Sequence, residues 1–472
     1  MMGARGTVNC DVLVIGAGPG GLAAAKGARE AGARRVIVLE RDACPGGILN
    51  QCIHDGFGLI RYKEQLTGPE YAVRAEREAT EAGAKIMTGH QVVRMERMAA
   101  GEGIEVTAVS ASGLKTFRAG AVVLALGCRE RTRGAISIPG SRPAGVFTAG
   151  VIQNFVNIRN VMPGHRVVIL GSGDVGMIMA RRLTLEGAKV QVVAEILPEP
   201  AGLARNVSQC LYDYGIPILC SHTVSRIIGR RKIEAVEISE VDQNMRPVPG
   251  TEQRFDCDAL VLSVGLIPEN EIAQTAGVTL DPKTNGTLTD EYLQTDVEGI
   301  FSCGNSRRIM DLADFVSEQG ELAGRNAVAH LTGEEMETWD ESRTTSMLKG
   351  YPVPDTVTCT LCPNGCQVRR VADENGTFTY EGNKCPRGID FAEQERTAPR
   401  RMLTTTVRDA DGHLIPVRTG QPISREKMFD AMKEMRTFTA DCTENIRCGD
   451  TLTYVTDKDG SRIRVIATAD SR

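Results

Sequence analysis

The stretch from Asp11 to Glu40, DVLVIGAGPGGLAAAKGAREAGARRVIVLE, limits the folds open to this chain more than any other. Val12 to Ile15 has the length and composition of a buried parallel strand. Gly-Pro-Gly-Gly then turns the chain, an alanine-rich segment reads as a helix packed on a sheet, and Val36 to Leu39 is a second strand that runs into an acid. Within G-x-G-x-x-G each glycine has its own task. Gly16 permits the tight turn, Gly18 lets backbone N–H groups approach a pyrophosphate, and Gly21 lets the helix lie close on the strand. The helix N-terminus then offers free N–H groups and partial positive charge to the phosphates. Glu40, 24 positions after Gly16, stands where a carboxylate can accept hydrogen bonds from an adenosine ribose. Strand, turn, helix, strand and acid in that order predict a dinucleotide-binding fold.

Pro163 to Glu195 repeats this order: strand Val167 to Leu170, turn Gly171-Ser172-Gly173-Asp174-Val175-Gly176, a helix to about Leu185, strand Val190 to Val193, and Glu195. A second copy some 155 residues downstream predicts two such folds. Between the copies, the loop ACPGGILNQCIHDGFG carries Gly47 and other glycines suited to close approach to a ligand, and Ala82 to Val93 reads as a strand and turn. Ile104 to Phe117 reads as a β-hairpin turning at Ser112 and Gly113. AVVLALG (Ala121 to Gly127) and ALVLSVG (Ala259 to Gly265) are buried strands ending in glycine, and GIFSCG (Gly299 to Gly304) opens a segment ending in a helix near Val328. From Glu334 to Lys349 the apolar period is lost, which reads as a linker to a C-terminal module.

A chain of 472 residues exceeds one core, so two to four domains are expected. Its net charge of −5 and pI near 5.9 argue against a nucleic-acid surface. The sequence has no apolar stretch long enough for a bilayer span and no signal peptide at Met1, so a cytoplasmic protein is expected. In that setting the 14 cysteines read as thiols or metal ligands more readily than as a disulfide framework.

Residues 1 to about 335 resemble the two-dinucleotide-domain flavoproteins that include thioredoxin reductase, glutathione reductase and NADH oxidases. Within that family they are similar to the FAD/NAD subunits encoded beside anaerobic glycerol-3-phosphate dehydrogenases. The motifs that carry the resemblance are GAGPGG with Glu40, ALGCRER at Ala125 to Arg131, GSGDVG, and GIFSCGN at Gly299 to Asn305. The resemblance implies an α/β architecture of two Rossmann-like folds, with the NAD fold inserted in the FAD fold, followed by a small C-terminal α+β cysteine-rich domain. It places FAD on 1–150 and 271–335 and NAD on 151–270, with a linker over 336–350 and the cysteine domain over 351–472. It also implies FAD contacts from Gly16, Gly18, Gly21, Glu40, Gly47, Val92 (at the adenine), Gly127, Gly304, Asn305 (at the ribityl–phosphate region) and Gln319. The last lies on a helix starting near Val316 whose N-terminus would face the isoalloxazine. Where the family usually has Gly-Asp this chain has Gly304-Asn305, and an amide keeps the hydrogen bonds but not the charge.

On the second fold, Gly171, Gly173, Gly176, Glu195 and Gly265 are the expected NAD residues. No arginine follows Glu195 until Arg205, and an acid there favours a free ribose 2′-hydroxyl over a 2′-phosphate, so NADH is expected over NADPH. Disulfide reductases of the family carry C-x4-C after the first acid or C-x-x-C in the nicotinamide domain, and neither pattern is present. Cys52 could act as a lone redox thiol with His54 lowering its pKa, but it fits better as a small apolar residue in a tight loop. Arg129, Glu130 and Arg131 lie near a ligand edge or on a solvated turn.

The C-terminal module holds Cys359-x2-Cys362-x3-Cys366 and, eighteen residues on, Cys385. Three thiols within eight residues converge only if the loop curls, which Pro363, Asn364 and Gly365 allow. Four soft ligands at this spacing suit a [4Fe–4S] cluster, with tetrahedral zinc and then ordinary thiols as the alternatives. The segment is similar to the cluster segment of molybdopterin oxidoreductases, which have a longer gap before the fourth cysteine. Cys442 and Cys448 fall outside the pattern and read as core or surface thiols. Two functions follow as expectations. One is an FAD-dependent NAD(P)H oxidoreductase that acts as an electron-transfer subunit, exchanging electrons through the cluster with a partner flavoprotein dehydrogenase such as glycerol-3-phosphate dehydrogenase. The other is a self-contained NADH oxidase or peroxidase using Cys52, with a structural zinc. The oligomeric state stays open.

Overall fold

The structure, a computed structural model, describes residues 7–99, 103–344, 347–372, 377–441 and 445–470, so Cys442 lies outside it. The chain forms two compact units, Met1–Arg129 with Leu266–Thr345, and Glu130–Gly265 with Ser346–Arg472.

In the first unit, seven strands make one sheet in the order Lys85–Met87, Val36–Leu39, Val8–Ile15, Gly113–Leu124, Ile104–Ser110 and Gln91–Arg97, with Ile300–Ser302 beside the far end of Gly113–Leu124. Gly113–Leu124 departs from expectation. It is a single strand that serves as the second arm of the hairpin and as the buried strand AVVL: its first half pairs antiparallel with Ile104–Ser110, its last residues parallel with Ile300–Ser302. Gly120, which reads in the sequence as an interruption, instead makes room, since a Cβ there would meet Asp11 O at 3.1 Å and Leu331 Cδ2 at 2.8 Å. Pairing of Ser110 with Gly113 puts the turn at Ala111 and Ser112, one residue earlier than expected, because Gly113 with φ +104° belongs to the strand.

Alternating residues load both faces of this sheet, as the period of two requires. Val12, Val14, Val36, Val38, Ala121 and Val123 face one core, with helices Pro19–Glu30, Gly68–Glu81 and Ala313–Thr332. Leu13, Ile15, Ile37, Leu39, Val122 and Leu124 face the other, with Met95, Val106 and Phe117 of the hairpin layer. Pro19–Glu30 and Ala313–Thr332 touch backbone to backbone through glycine: a Cβ on Gly320 would sit 2.1 Å from Gly20 O, and one on Gly324 2.0 Å from Ala24 O. The second helix begins at Ala313, a turn before the expected Val316.

The second unit repeats the plan. Five parallel strands run in the order Val146–Thr148, Ala259–Leu262, Arg166–Leu170, Lys189–Glu195, Ile218–Cys220. Helices Ala149–Asn157 and Asp174–Leu185 cover one face, and a three-stranded antiparallel sheet, His222–Gly229, Ile233–Glu240 and Gln253–Asp256, covers the other. The C-terminal residues add a short antiparallel sheet with helix Pro386–Thr397, and a five-stranded sheet packed on helix Met428–Thr437. Although 336–350 reads as a linker to a module apart, residues 346–472 share one compact unit with 130–265. Leu185 belongs to the core of the five-stranded sheet, Tyr214 packs on it, and Arg401 pairs with Asp213 at 2.7 Å and Glu395 at 2.6 Å. No helix among the described residues is long and apolar enough to cross a membrane.

Candidate functional site

At the ligand end of the first sheet, Gly16 (φ +101°) closes the turn, and a Cβ there would lie 2.4 Å from Ala125 O. Gly21 abuts Gly16 so closely that a Cβ would fall 1.8 Å from Gly16 O, whereas Gly18 has open space around the Cβ direction. That opening lies at the N-cap of Pro19–Glu30, where unpaired N–H groups favour an anion. Glu40 is 5% exposed and fixed at both oxygens, taking the N–H of Ala17 at 2.8 Å and of Asp42 at 2.9 Å. From the following loop Gly47 lies over Gly18, where a Cβ would land 3.1 Å from Gly18 Cα.

The second sheet repeats the plan, with Ser263 closing on all three glycines. A Cβ on Gly171 (φ +94°) would fall 2.1 Å from Ser263 O, one on Gly176 2.6 Å from Ser263 Cβ, and one on Gly173, the N-cap of Asp174–Leu185, 3.0 Å from Ser263 Oγ. Glu195, 4% exposed, takes the N–H of Ser172 at 2.8 Å and of Leu197 at 3.0 Å, the same two donors relative to the motif. It also accepts the Ser172 hydroxyl at 2.5 Å. Ser263 and Gly265 hold the places that Ala125 and Gly127 hold in the first fold, and both glycines have positive φ, +107° and +74°. The donors at Ala17 and Ser172 escape a motif reading because their positions in it are variable. The repeated AVVLALG and ALVLSVG would have pointed to Ser263.

The remaining candidates in the first unit differ in what they present. Val92 is 3% exposed and sits in the hairpin-layer core, so its side chain belongs to packing and only its backbone is left for a ligand. Gly304 (φ +64°) donates its N–H to Gln319 Oε1 at 2.8 Å. Gln319 is fully buried and its amide nitrogen has no partner among the described residues, which is costly unless a bound group accepts from it. Both ends of Asn305 are used: Oδ1 takes the Met310 N–H at 2.9 Å, and Nδ2 donates to Cys128 Sγ at 3.5 Å. Cys52 is buried under the start of helix Gly68–Glu81, its carbonyl accepting from Gly68 N–H at 2.9 Å, and the His54 ring lies 4.9 Å from that of Phe57. Arg129 makes an exposed ion pair with Glu271. Glu130 receives the N–H of Gly150 on both oxygens at 2.9 Å, which places a carboxylate at the start of helix Ala149–Asn157 and gives it a structural task.

Three of the four C-terminal cysteines sit on one knuckle, and the fourth starts a helix. Val357–Thr358 pairs antiparallel with Gln367–Val368, and the connecting loop carries Cys359, Cys362 and Cys366. Gln367 staples that loop, its Oε1 accepting from Val353, Thr356 and Thr358 and its Nε2 donating to Gly365 O at 2.8 Å. No motif in the chain points to this role. Cys385 is the N-cap of helix Pro386–Thr397. Burial pushes the Cys359 thiol up, the Leu361 N–H opposes this, and the charges of Cys362, Cys366 and Cys385 raise it further. Among the described residues, no group of three or more His, Cys, Asp or Glu side chains stands where it could hold a metal ion. The donor set of four soft thiols, one with an N–H aimed at its sulfur and one at a helix N-terminus, nevertheless has the chemistry of a thiolate-bound centre.

A family model described as pyridine nucleotide-disulphide oxidoreductase matches residues 10–320, and one described as a protein of unknown function (DUF1667) matches residues 386–469. Neither match covers Cys359 to Cys385. The chain is 27% identical over 348 residues to one of the subunits of opine oxidase from Agrobacterium tumefaciens (strain Ach5), a match that spans 68% of this chain and just under two thirds, 66%, of that protein. It is 26% identical over 328 residues to a thioredoxin reductase of Listeria innocua, covering 68% and 93%. The crystal structure of T. acidophilum thioredoxin reductase has a similar fold, with a TM-score of 0.58 at 22% identity over 70% of this chain and all of that one.

Proposed function

Because the chain belongs to the pyridine nucleotide-disulphide oxidoreductase family and is an FAD-dependent oxidoreductase, we propose that it serves as an electron-transfer subunit. Hydride passes between NADH and the flavin. Cys359, Cys362, Cys366 and Cys385 would hold a [4Fe–4S] centre, which would supply a one-electron outlet toward a partner dehydrogenase acting on glycerol 3-phosphate or a related hydroxy acid. The observation that carries this reading is the spacing of four soft ligands, Cys359-x2-Cys362-x3-Cys366 followed by Cys385, in a chain that lacks the cysteine pairs of the disulfide reductases. A relative that is one component of a multi-chain oxidase supports a division of labour between chains.

The chain's own residues account for binding and orientation. In the first fold, the Gly18 opening and the helix N-terminus receive the pyrophosphate, Glu40 the ribose, and the Gln319 amide a flavin-side acceptor. FAD, when bound, supplies a hydride acceptor that can release electrons singly. In the second fold, Gly173 and Glu195 receive the nicotinamide nucleotide, and the fixed carboxylate disfavours a 2′-phosphate.

Anaerobic purification followed by iron and acid-labile sulfide analysis tests the centre. About four irons per chain are expected, falling to near zero in Cys366→Ser, while NADH still bleaches the flavin of the variant. Zinc at one per chain, or iron unchanged by Cys366→Ser, would overturn the relay.

A further inference from the structure

We propose that the C-terminal segment supplies part of the nicotinamide-nucleotide site, with Tyr351 forming the aromatic wall against which the adenine of NADH stacks. This rests on the reading of the second fold as the NADH-binding fold.

Ligands of open parallel sheets lie outside the carboxyl ends of the strands. Glu195 and Cys220 are register partners at those ends. Tyr351 reaches this edge, its hydroxyl donating to Cys220 Sγ at 2.9 Å. The backbone just before it is tied to the same site. Leu348 O accepts from Ala204 N–H at 3.0 Å, Lys349 pairs with Leu203, and Gly350 donates to Gly202 O at 3.1 Å. Gly202 and Leu203 in turn bond to the phosphate loop, at Ser172 O and at Asp174 Oδ1. The strap therefore runs directly along the loop that follows Glu195.

That edge is unexpectedly apolar. Leu197, two residues past the acid, is 37% exposed, Tyr351 37% and Tyr212 52%. Tyr351 lies within electrostatic reach of Tyr212 and Glu199, and a Cβ on Gly350 would be 3.0 Å from Glu199 Oε2. An exposed aromatic group beside a ribose-binding acid matches adenosine, which presents a flat π face and a pair of hydroxyls. The hydroxyl bond to Cys220 holds the ring in place before the nucleotide arrives, so little side-chain freedom is lost on binding.

The test uses the full-length, flavin-loaded protein and titrates NADH, ADP-ribose and nicotinamide mononucleotide. Base stacking on an aromatic side chain is worth roughly a tenfold change in Kd. Tyr351→Ala is expected to weaken ADP-ribose and NADH by about that factor and to leave nicotinamide mononucleotide unchanged. Tyr351→Phe, which keeps the ring and loses only its anchor, is expected to fall between Ala and wild type, with flavin content and melting temperature serving as folding checks. Unchanged or tighter ADP-ribose binding in Tyr351→Ala overturns the inference while Glu195→Gln still weakens it. If wild-type protein binds no ADP-ribose, the underlying reading of the second fold falls as well.

Discussion

Alanine at Gly21 is expected to yield a protein that purifies without flavin and melts well below wild type. A Cβ at that position would lie 1.8 Å from Gly16 O and 2.9 Å from Gly16 C, both backbone atoms that cannot rotate away. The helix cannot simply lift off, because Gly20 on its other side is pressed against Gly320 at a Cβ distance of 2.1 Å. Overpacking of this kind costs about 1–3 kcal/mol, and more where the neighbours are backbone. For a unit of this size that corresponds to a fall in melting temperature of roughly 5–10 °C. Gly18→Ala is the matched comparison: nothing lies within 4 Å of its Cβ, so the apoprotein should fold normally and lose flavin only because the methyl fills the phosphate opening. The ratio of flavin to protein absorbance after gel filtration, read with a calorimetric melt, checks both. Full flavin content and an unshifted melt in Gly21→Ala would contradict the packing described above.

Removing Arg401 is expected to have the largest effect on the second unit. Its side chain is 9% exposed and forms two-pronged contacts with Asp213 (2.7 and 3.1 Å) and Glu395 (2.6 and 2.7 Å). Those carboxylates hold its proton more firmly than usual, although burial acts in the opposite direction. Arg401→Ala strands two carboxylates in a poorly solvated place, which costs about 3–5 kcal/mol. Arg425, 3.0 Å from Asp213, limits the loss to the lower part of that range. Arg401→Lys should recover only part of it, since an ammonium cannot bridge both acids in the planar, forked way of a guanidinium. The lone tryptophan, Trp339, lies in the first unit, so its fluorescence would miss the change. Hydrogen exchange of strand Thr404–Asp409 is the suitable measurement, and protection there equal to wild type would refute the expected effect.

Much of this architecture is legible in the sequence because its signals are local. Gly16, Gly18, Gly21 and Glu40, and their counterparts Gly171, Gly173, Gly176 and Glu195, each need a particular residue type at a fixed spacing, so strand, turn and helix follow directly. The cysteine loop is legible for the same reason. What stays hidden depends on partners distant in sequence. Leu185 and Tyr214 read as ordinary apolar residues in and after the helix Asp174–Leu185, and only the fold brings the five-stranded sheet onto them. Asp213 carries no hint that Arg401, 188 positions away, will sit on it. The hairpin turn reads one residue late because a glycine of positive φ suits the end of a turn and the start of a twisted strand alike.

The two acids that close the nucleotide loops are not equally occupied. A carboxylate offers about four acceptor positions. Glu40 uses two of them on backbone N–H groups, and Glu195 uses three because the Ser172 hydroxyl takes one more. The first acid therefore keeps about two acceptor positions and the second about one. On the proposed reading that asymmetry suits a resident guest on one side and a visitor that departs after every turnover on the other, and the difference between them is a single serine oxygen.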